Sequence, residues 1–351
     1  MKHAPRTLDA ATLADLQSWV GKTETLSDDI TASPVRALSA TLDRDDPLPG
    51  PGSVLAPLWH WLYFLPQHRQ SEIGPDGHAK RGGFLPPVPL PRRMWAGGRL
   101  QWRPENPLLV GDEVKRISRI ESVTHKAGRT GDLLFVLVKH EVHNAHGLAL
   151  TEEHDIVYRA AASQAPTLGT GVSSLALQAA EPSEPAPFRT VPTCAGRSGA
   201  AALSLEGALA SRGGPSTLAQ PGDPVPPPIV AEKGAAWQRE VTPDDVLLFR
   251  YSALTFNGHR IHYDRKYVTE VESYPGLIVH GPLIATLLVD LVRRQAPGAF
   301  IKRFNFKAVR PTFDLHPFRL NGQPSADGKT VKLWAEDHEG WLTMQGSTEL
   351  A

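Results

Sequence analysis

The chain has 351 residues, 41% hydrophobic and 21% charged, with 37 Lys and Arg against 37 Asp and Glu and a single cysteine. Zero net charge excludes the basic footprint of a general nucleic-acid binder or a polybasic membrane anchor, and one cysteine excludes an internal disulfide and a Cys-x-x-Cys metal knuckle. There is no signal-type apolar core near the start and no run approaching the ~18 apolar residues that span a bilayer, so the expected setting is soluble, reducing and cytoplasmic.

In chain order, residues 1–160 form a first unit. An acidic turn opens the segment SDDITASPVRALSAT at 27–41. The run SVLAPLWHWLYFL, 53–65, is apolar on every side and predicts a buried helix. Strands are predicted over 92–103, 113–128, 133–144 and 148–159, with Gly-containing turns between several of them. The third strand ends in KHEVHNAHG, where His140, His143 and His146 invite a metal reading. On an extended strand, however, His140 and His146 are about 20 Å apart and residues three apart face opposite sides, so only a hairpin at 144–147 would relax that objection.

Residues 161–235 read as a linker. Between 161 and 236 lie 11 of the 32 prolines, in stretches such as PGDPVPPPIV that support neither sheet ladders nor long helices. At most a helical turn near ALSLEGALA is expected there, and Cys194 has no evident histidine partner. No glycine-rich phosphate loop is present, which speaks against a bound dinucleotide or ATP.

Residues 236–351 repeat the order of the first unit. An acidic turn precedes the apolar, strand-like run TPDDVLLFRYSALTF at 242–256, and GPLIATLLVDLVRR at 281–294 predicts the second buried helix. Strands are predicted over 301–313, 318–323, 330–338 and 342–350. One buried helix wrapped by an antiparallel sheet, occurring twice, makes the fold class α+β by internal duplication.

The chemistry is concentrated in RYSALTFNGHRIHYD, 250–264, and GLIVHGP, 276–282. Asn257, His259, Arg260, His262, Tyr263 and Asp264 crowd polar groups beside core elements, where each needs a partner or a purpose. His262 is the natural proton donor or acceptor near neutral pH. Gly281 opens the predicted helix, whose first N–H groups and positive end suit an oxygen that gains negative charge.

These residues carry a resemblance. The I-H-x-D ending, a short loop and a G-x-x-x-H-G turn into an apolar helix resemble the hydratase-2 motif of MaoC-type hot-dog enzymes. The form YSALTFNxHRIHYD, with PLPRRMWAGGRLQW in the first unit, is closer to one branch. That branch holds the type-2 hydroxyacyl-thioester dehydratases and the mesaconyl-C4-CoA (3-methylfumaryl-CoA) hydratases. The resemblance implies a double hot-dog fold with one active site per chain, built mainly by the second unit. It also implies reversible addition of water across an α,β-unsaturated acyl thioester. His262 falls on the family histidine and Gly281 on the oxyanion residue. Asn257 stands where the family has aspartate, and His259-Arg260 replaces the usual Asn-Pro. Asn257 cannot take a proton near neutral pH, but its amide can orient water.

The remaining roles stay open at this level. Arg260 can pair with a substrate carboxylate, as a mesaconyl group would offer, or with a neighbouring acid. Asp264 either orients His262 or is structural, and His280 bonds at the helix entry or acts directly. Tyr251 lines the pocket or caps its element. Lys302 and Arg310, with Arg303 and Lys307, either contact coenzyme A phosphates or form a solvated face. His259 and His262 alone make a poor metal site for want of a third ligand. No metal or cofactor is expected beyond the coenzyme A of the substrate. The partners expected are an acyl-CoA, an acyl carrier protein and a second copy of the chain. A dehydratase acting on longer (3R)-hydroxyacyl thioesters, a hot-dog thioesterase and a non-catalytic acyl binder are the alternatives.

Overall fold

The computed structural model describes residues 8–90, 92–128, 131–159 and 228–351. The predicted linker, with Cys194 and ALSLEGALA, lies outside the described residues as far as residue 227. The N-terminal half contains α1 (Ala10–Gln17), β1 (Thr23–Asp29), α2 (Ala32–Thr41), β2 (Arg92–Trp102), β3 (Glu113–Gly128), β4 (Gly131–Asn144) and β5 (Gly147–Arg159). The C-terminal half contains β6 (Trp237–Val241), α3 (Asp245–Leu254), α4 (Arg265–Glu270), α5 (Gly281–Gln295), β7 (Ile301–Ala308), β8 (Phe318–Pro324), β9 (Thr330–Glu336) and β10 (Leu342–Leu350).

The strands join in one antiparallel sheet ordered β1-β3-β4-β5-β2-β7-β10-β9-β8-β6. This is the α+β double hot dog, with the two halves sharing one sheet. Period-two patterning builds it: in β4, Leu134, Val136, Val138, His140 and Val142 point inward and are buried, while their neighbours are only partly covered. His140 therefore belongs to an inward row, with Nδ1 2.8 Å from Ser118 Oγ.

The halves meet where β2 pairs with β7, from Gly97 opposite Lys307 to Gln101 opposite Arg303. The backbones approach so closely here that a Cβ on Gly97 would lie 2.5 Å from the Phe306 carbonyl oxygen. On Gly98 it would lie 2.9 Å from the Phe306 ring. Only glycine fits without spreading the junction. Gly97→Val is expected to cost at least the ~1–3 kcal/mol of an overpacked site. A lowered thermal midpoint in a melting curve checks this, and an unchanged midpoint refutes it.

Helix α5 is the centre of the C-terminal half. Every residue from Leu283 to Val292 is buried, and the helix packs on β6, β8 and β9. Its apolar residues join one cluster with Leu55, Leu100, Trp102 and Val142 of the first half, so the hydrophobic core is continuous across the duplication. One residue of this helix is an acid. Asp290 is 1% exposed and accepts bonds from Arg239 and Arg294, each at 2.7 Å, and from Arg44 of α2's C-terminal extension.

Two predicted elements are different in the structure. The segment 53–65 is not a helix but an irregular plug with a single 3₁₀ turn at Trp59–Leu62. Leu58 (φ 70°) and Phe64 (φ 54°) take left-handed backbone on either side of that turn. Its expected burial is present, since Leu58, Trp59, Leu62, Tyr63 and Phe64 all lie in the core. The first half therefore has no counterpart of α5 in this segment. The run at 242–256 is helix α3 rather than strand-like. Asp244 caps it by accepting from the Leu247 N–H at 2.7 Å, and Leu248, Tyr251 and Ser252 bury one helical face.

Candidate active site

The site forms at the N-terminal end of α5. His280 is the N-cap and is fully buried, Gly281 is the first helical residue, and Pro282 follows. The Gly281 N–H has no acceptor within the helix, and Pro282 has no N–H, so Gly281 alone presents a donor at these first two positions. A Cβ on Gly281 would meet nothing closer than Met344 Cε at 4.0 Å, so space adjoins this backbone.

His262 comes from a 3₁₀ turn, Arg260–His262, and is 8% exposed. Its loop is clamped to the strand-like entry to α5, because the Ile278 N–H donates to the Ile261 carbonyl at 3.0 Å. In return, His262 Nδ1 donates to the Ile278 carbonyl at 2.7 Å. A carbonyl only accepts, so this bond places the proton on Nδ1 and leaves Nε2 with a free electron pair. Burial pushes His262 down to about 4 from its ordinary 6.5, an effect partly offset by that carbonyl. At neutral pH the ring is an uncharged base.

The ring of His262 stacks on that of His280 at 3.8 Å with an interplanar angle of 19°. The imidazole at 262 and the helix entry at 281 thus share one location. His280 Nε2 is 2.8 Å from Ser252 Oγ, and Tyr251 packs edge-on to His280 at 5.1 Å. Burial, then the adjacent His262, holds His280 well below the ordinary histidine range. Burial raises the phenol of Tyr251. His259 stands perpendicular to His262 at 5.5 Å and is pushed down to about 2, mainly by burial and then by His78.

These shifts have a sign. A histidine whose folded pKa is depressed binds fewer protons than the unfolded chain between the two values, so stability falls as the pH drops through that window. For His262 the window runs from 6.5 down to about 4. The unfolding midpoint of the chain is expected to fall on acidification from pH 7 to 4.5, and less so in His262→Gln. Equal losses in both proteins would remove His262 from the cause.

Asn257 is near the site but already engaged, its Oδ1 accepting the His259 N–H at 3.0 Å. Asp264 does not orient His262. It caps α4 through the Tyr267 N–H at 3.0 Å and pairs with Arg260 at 2.7 Å. Arg260 is accordingly held by an ordinary ion pair, lies over the Tyr267 ring at 4.1 Å, and donates to the Pro75 carbonyl at 2.9 Å. Arg310 is 6% exposed and 3.3 Å from Asp337, a buried structural pair rather than a phosphate contact on an open face. Lys302 pairs with Glu349 at 3.4 Å on β7, after the opposite end of α5.

The sequence reading missed two residues, Asp76 and His78, which arrive from the first half on the turn between Ile73 and Ala79. The turn docks on the motif. The Arg260 N–H donates to the Asp76 carbonyl at 2.9 Å, and a Cβ on Gly77 would lie 1.7 Å from the Gly258 oxygen. Gly77 has φ 90°, so glycine is required twice over. Asp76 Oδ2 is 3.0 Å from His78 Nδ1, and the ring of His78 lies 3.9 Å from that of His259. The turn signature in GPDGH was visible, but its docking partner is some 180 residues away in sequence. Asp76, His78 and His259 present possible ligand atoms within 4.8 Å of one another, so the groups that approach His259 in this way come from the first half rather than from its own segment. His140, His143 and His146 form no such group among the described residues, even though β4 and β5 do turn at 144–147.

A separate cavity of about 330 Å³ opens at the other end of α5, lined by Arg44, Trp102, Arg293, Pro297 and Phe300 among others. Fifteen residues of helix, about 22 Å at 1.5 Å each, separate it from Gly281. The histidines of the motif, His259, His262 and His280, are at the Gly281 end.

Known proteins match most of this chain. The family model for hydroxyacyl-thioester dehydratase type 2 matches residues 58–189 and 216–314. The mesaconyl-C(4)-CoA hydratase of Chloroflexus aurantiacus is 39% identical over 337 residues, 96% of this chain and 98% of that protein. The mitochondrial hydroxyacyl-thioester dehydratase type 2 of Schizosaccharomyces pombe is 41% identical over 97 residues, 27% of this chain and 31% of its own. Among solved structures, a MaoC-like dehydratase superposes with a TM-score of 0.59 at 15% identity, covering 95% of this chain and 99% of its own. HtdX of Mycobacterium tuberculosis gives 0.53 at 13% identity, covering 93% of this chain and all of its own. These two share the fold, whereas the family match and the Chloroflexus relative extend to the motif and to the docked turn. The chain belongs to the type-2 hydroxyacyl-thioester dehydratase family.

Proposed function

We propose that the protein is a hydro-lyase that adds water reversibly to mesaconyl-C4-CoA, forming citramalyl-CoA. The observation that carries the substrate is the near full-length identity to the Chloroflexus hydratase. In this reading the Gly281 N–H receives the thioester oxygen and stabilises the charge that develops on it. The free Nε2 of His262 takes a proton from water, and the fixed tautomer keeps that electron pair available without competition from solvent protons near pH 7. The Asn257 amide, held by the His259 backbone, positions the water. The substrate brings its own coenzyme A, and the reaction draws on no further cofactor.

The test is a hydration screen of mesaconyl-C4-CoA, crotonyl-CoA and a long-chain enoyl-CoA, followed by loss of the conjugated-thioester absorbance. Mesaconyl-C4-CoA is expected to turn over with the highest kcat/KM. Preference for the long chain would favour the fatty-acyl dehydratase, and release of free thiol a thioesterase. Repeating the screen with carrier-protein thioesters distinguishes the two acyl carriers.

A further inference from the structure

Hydration needs two proton transfers, one from water and one to the α-carbon, and His262 can perform only one of them at a time. The usual second group of such a site, a carboxylate, is missing from the motif segment. Asn257 does not titrate, and Asp264 is committed to Arg260 and to the end of α4. An acid does reach the motif from the first half: Asp76, 181 residues before Asn257 in the chain, whose carbonyl accepts the Arg260 N–H at 2.9 Å.

Resting on the hydratase reading, we propose that His78, positioned by Asp76, is the second proton-transfer residue of this active site, contributed by the N-terminal half. His78 is 29% exposed through its side chain, so its ring borders solvent while Asp76 Oδ2 holds its Nδ1 at 3.0 Å. Asp76 also accepts the His78 backbone N–H at 3.1 Å, which locks the pair within one turn. That hydrogen-bonded ring is the main reason the Asp76 carboxyl lies far below the usual carboxylate range. The pair repeats the orienting logic of an acid–histidine couple: an anion behind the ring fixes the tautomer and supports the imidazolium. Three further histidines continue from it. His259 faces His78 at 3.9 Å, His262 lies 5.5 Å from His259, and His280 stacks on His262 at 3.8 Å. Besides Asp76, the groups facing this row are Arg93, which acts on His259, the phenol-bearing ring of Tyr251 at 5.1 Å from His280, and each neighbouring histidine.

An O–H bond of water breaks, its proton passes to Nε2 of His262, and the oxygen forms a bond to the β-carbon. The π pair of the double bond moves onto the thioester oxygen at Gly281. The enolate then collapses, and its α-carbon forms a bond to the proton of the His78 imidazolium. His78 is left neutral and His262 charged, and solvent returns the proton from one to the other. No other reactant is consumed.

Asp76, His78 and His259 also match a cation site by proximity. Ring geometry favours the proton-transfer reading. Imidazoles bound to one ion point their edges at it from about 2.0–2.1 Å, whereas His78 and His259 present faces tilted by 40° at 3.9 Å.

The experiment compares wild type, His78→Gln, His78→Ala and Asp76→Asn as full chains, with kcat, KM and pH profiles for mesaconyl-C4-CoA and circular dichroism to check folding. Both His78 variants are expected to lose roughly 10²–10⁴ in kcat with KM changed only a few-fold. One limb of the wild-type pH profile should vanish with them, and Asp76→Asn should shift that limb rather than abolish it. Folded His78 variants with kcat within threefold of wild type, or an unchanged pH profile, would overturn the proposal and leave the hydratase reading intact. If His78→Ala is misfolded, Asp76→Asn decides by the same limb. A stoichiometric divalent metal whose chelation abolishes activity, restored on re-addition, would overturn it in favour of a cation site. Wild type inactive on every thioester would overturn the function itself, and this proposal with it.

Discussion

His262→Ala is expected to lower kcat by roughly 10²–10⁴, the contribution of a positioned general acid–base group. The structure makes the expectation sharper than a generic histidine deletion. The ring is buried, it is uncharged because burial pushes its pKa down to about 4, and its tautomer is set by the Ile278 carbonyl. Activity should therefore not decline around pH 6.5 because of this residue, since an acidic limb from His262 belongs near pH 4. A His262→Gln variant can retain the bond to Ile278 but not the proton transfer, which separates a folding effect from a chemical one. Steady-state rates of enoyl-thioester hydration across pH 4–8 provide the check. Turnover of His262→Ala within about threefold of wild type would remove the residue from the mechanism.

Asp290→Ala is expected to be the most damaging single change to stability. The carboxylate is 1% exposed within an otherwise apolar helix and gathers Arg44, Arg239 and Arg294. It therefore ties α5 to β6 and to the first half. Removing the shared anion leaves guanidinium groups clustered without it, and breaking a buried pair in this way costs about 3–5 kcal/mol. Burial and the adjacent Arg294 already lower Arg239, which shows how strongly this region disfavours unbalanced charge. Chemical denaturation followed by circular dichroism measures the loss. Asp290→Asn, keeping hydrogen-bond acceptance without charge, should fall between wild type and Ala. A loss below about 1 kcal/mol for Asp290→Ala would mean that the arginines are already solvated.

Local pattern was enough for most of the sheet. Predicted strands at 113–128, 148–159, 318–323 and 342–350 coincide within a residue or two with β3, β5, β8 and β10. Alternating burial and Gly-containing turns are properties of neighbouring residues, so no distant partner is needed to read them. The helix at 281–294 was legible for the same reason, because fifteen residues of apolar helix admit little else. Short, apolar stretches were less decisive. Residues 53–65 carry the burial but not the helix, since the plug is shaped by the core it fills. Within 242–256, residues Asp245–Leu254 form a helix whose Asp244 cap was present in the sequence but masked by a run of hydrophobic residues.

The motif itself determined half of the candidate site. His262, Gly281 and their neighbours lie within about thirty residues, and the spacing alone indicated a polar cluster at a helix entry. Tertiary structure decided which of these polar groups remain available. Arg260 and Asp264 pair with each other at the half-exposed edge of the site, and the buried Arg310 turns to Asp337, because a charge taken out of water must find a partner wherever the fold supplies one. It also brought Asp76 and His78 to the site across the whole intervening chain. Proximity of that kind depends on two glycine backbones, at 77 and 258, packing against each other, and residue order along a chain holds no record of such a contact.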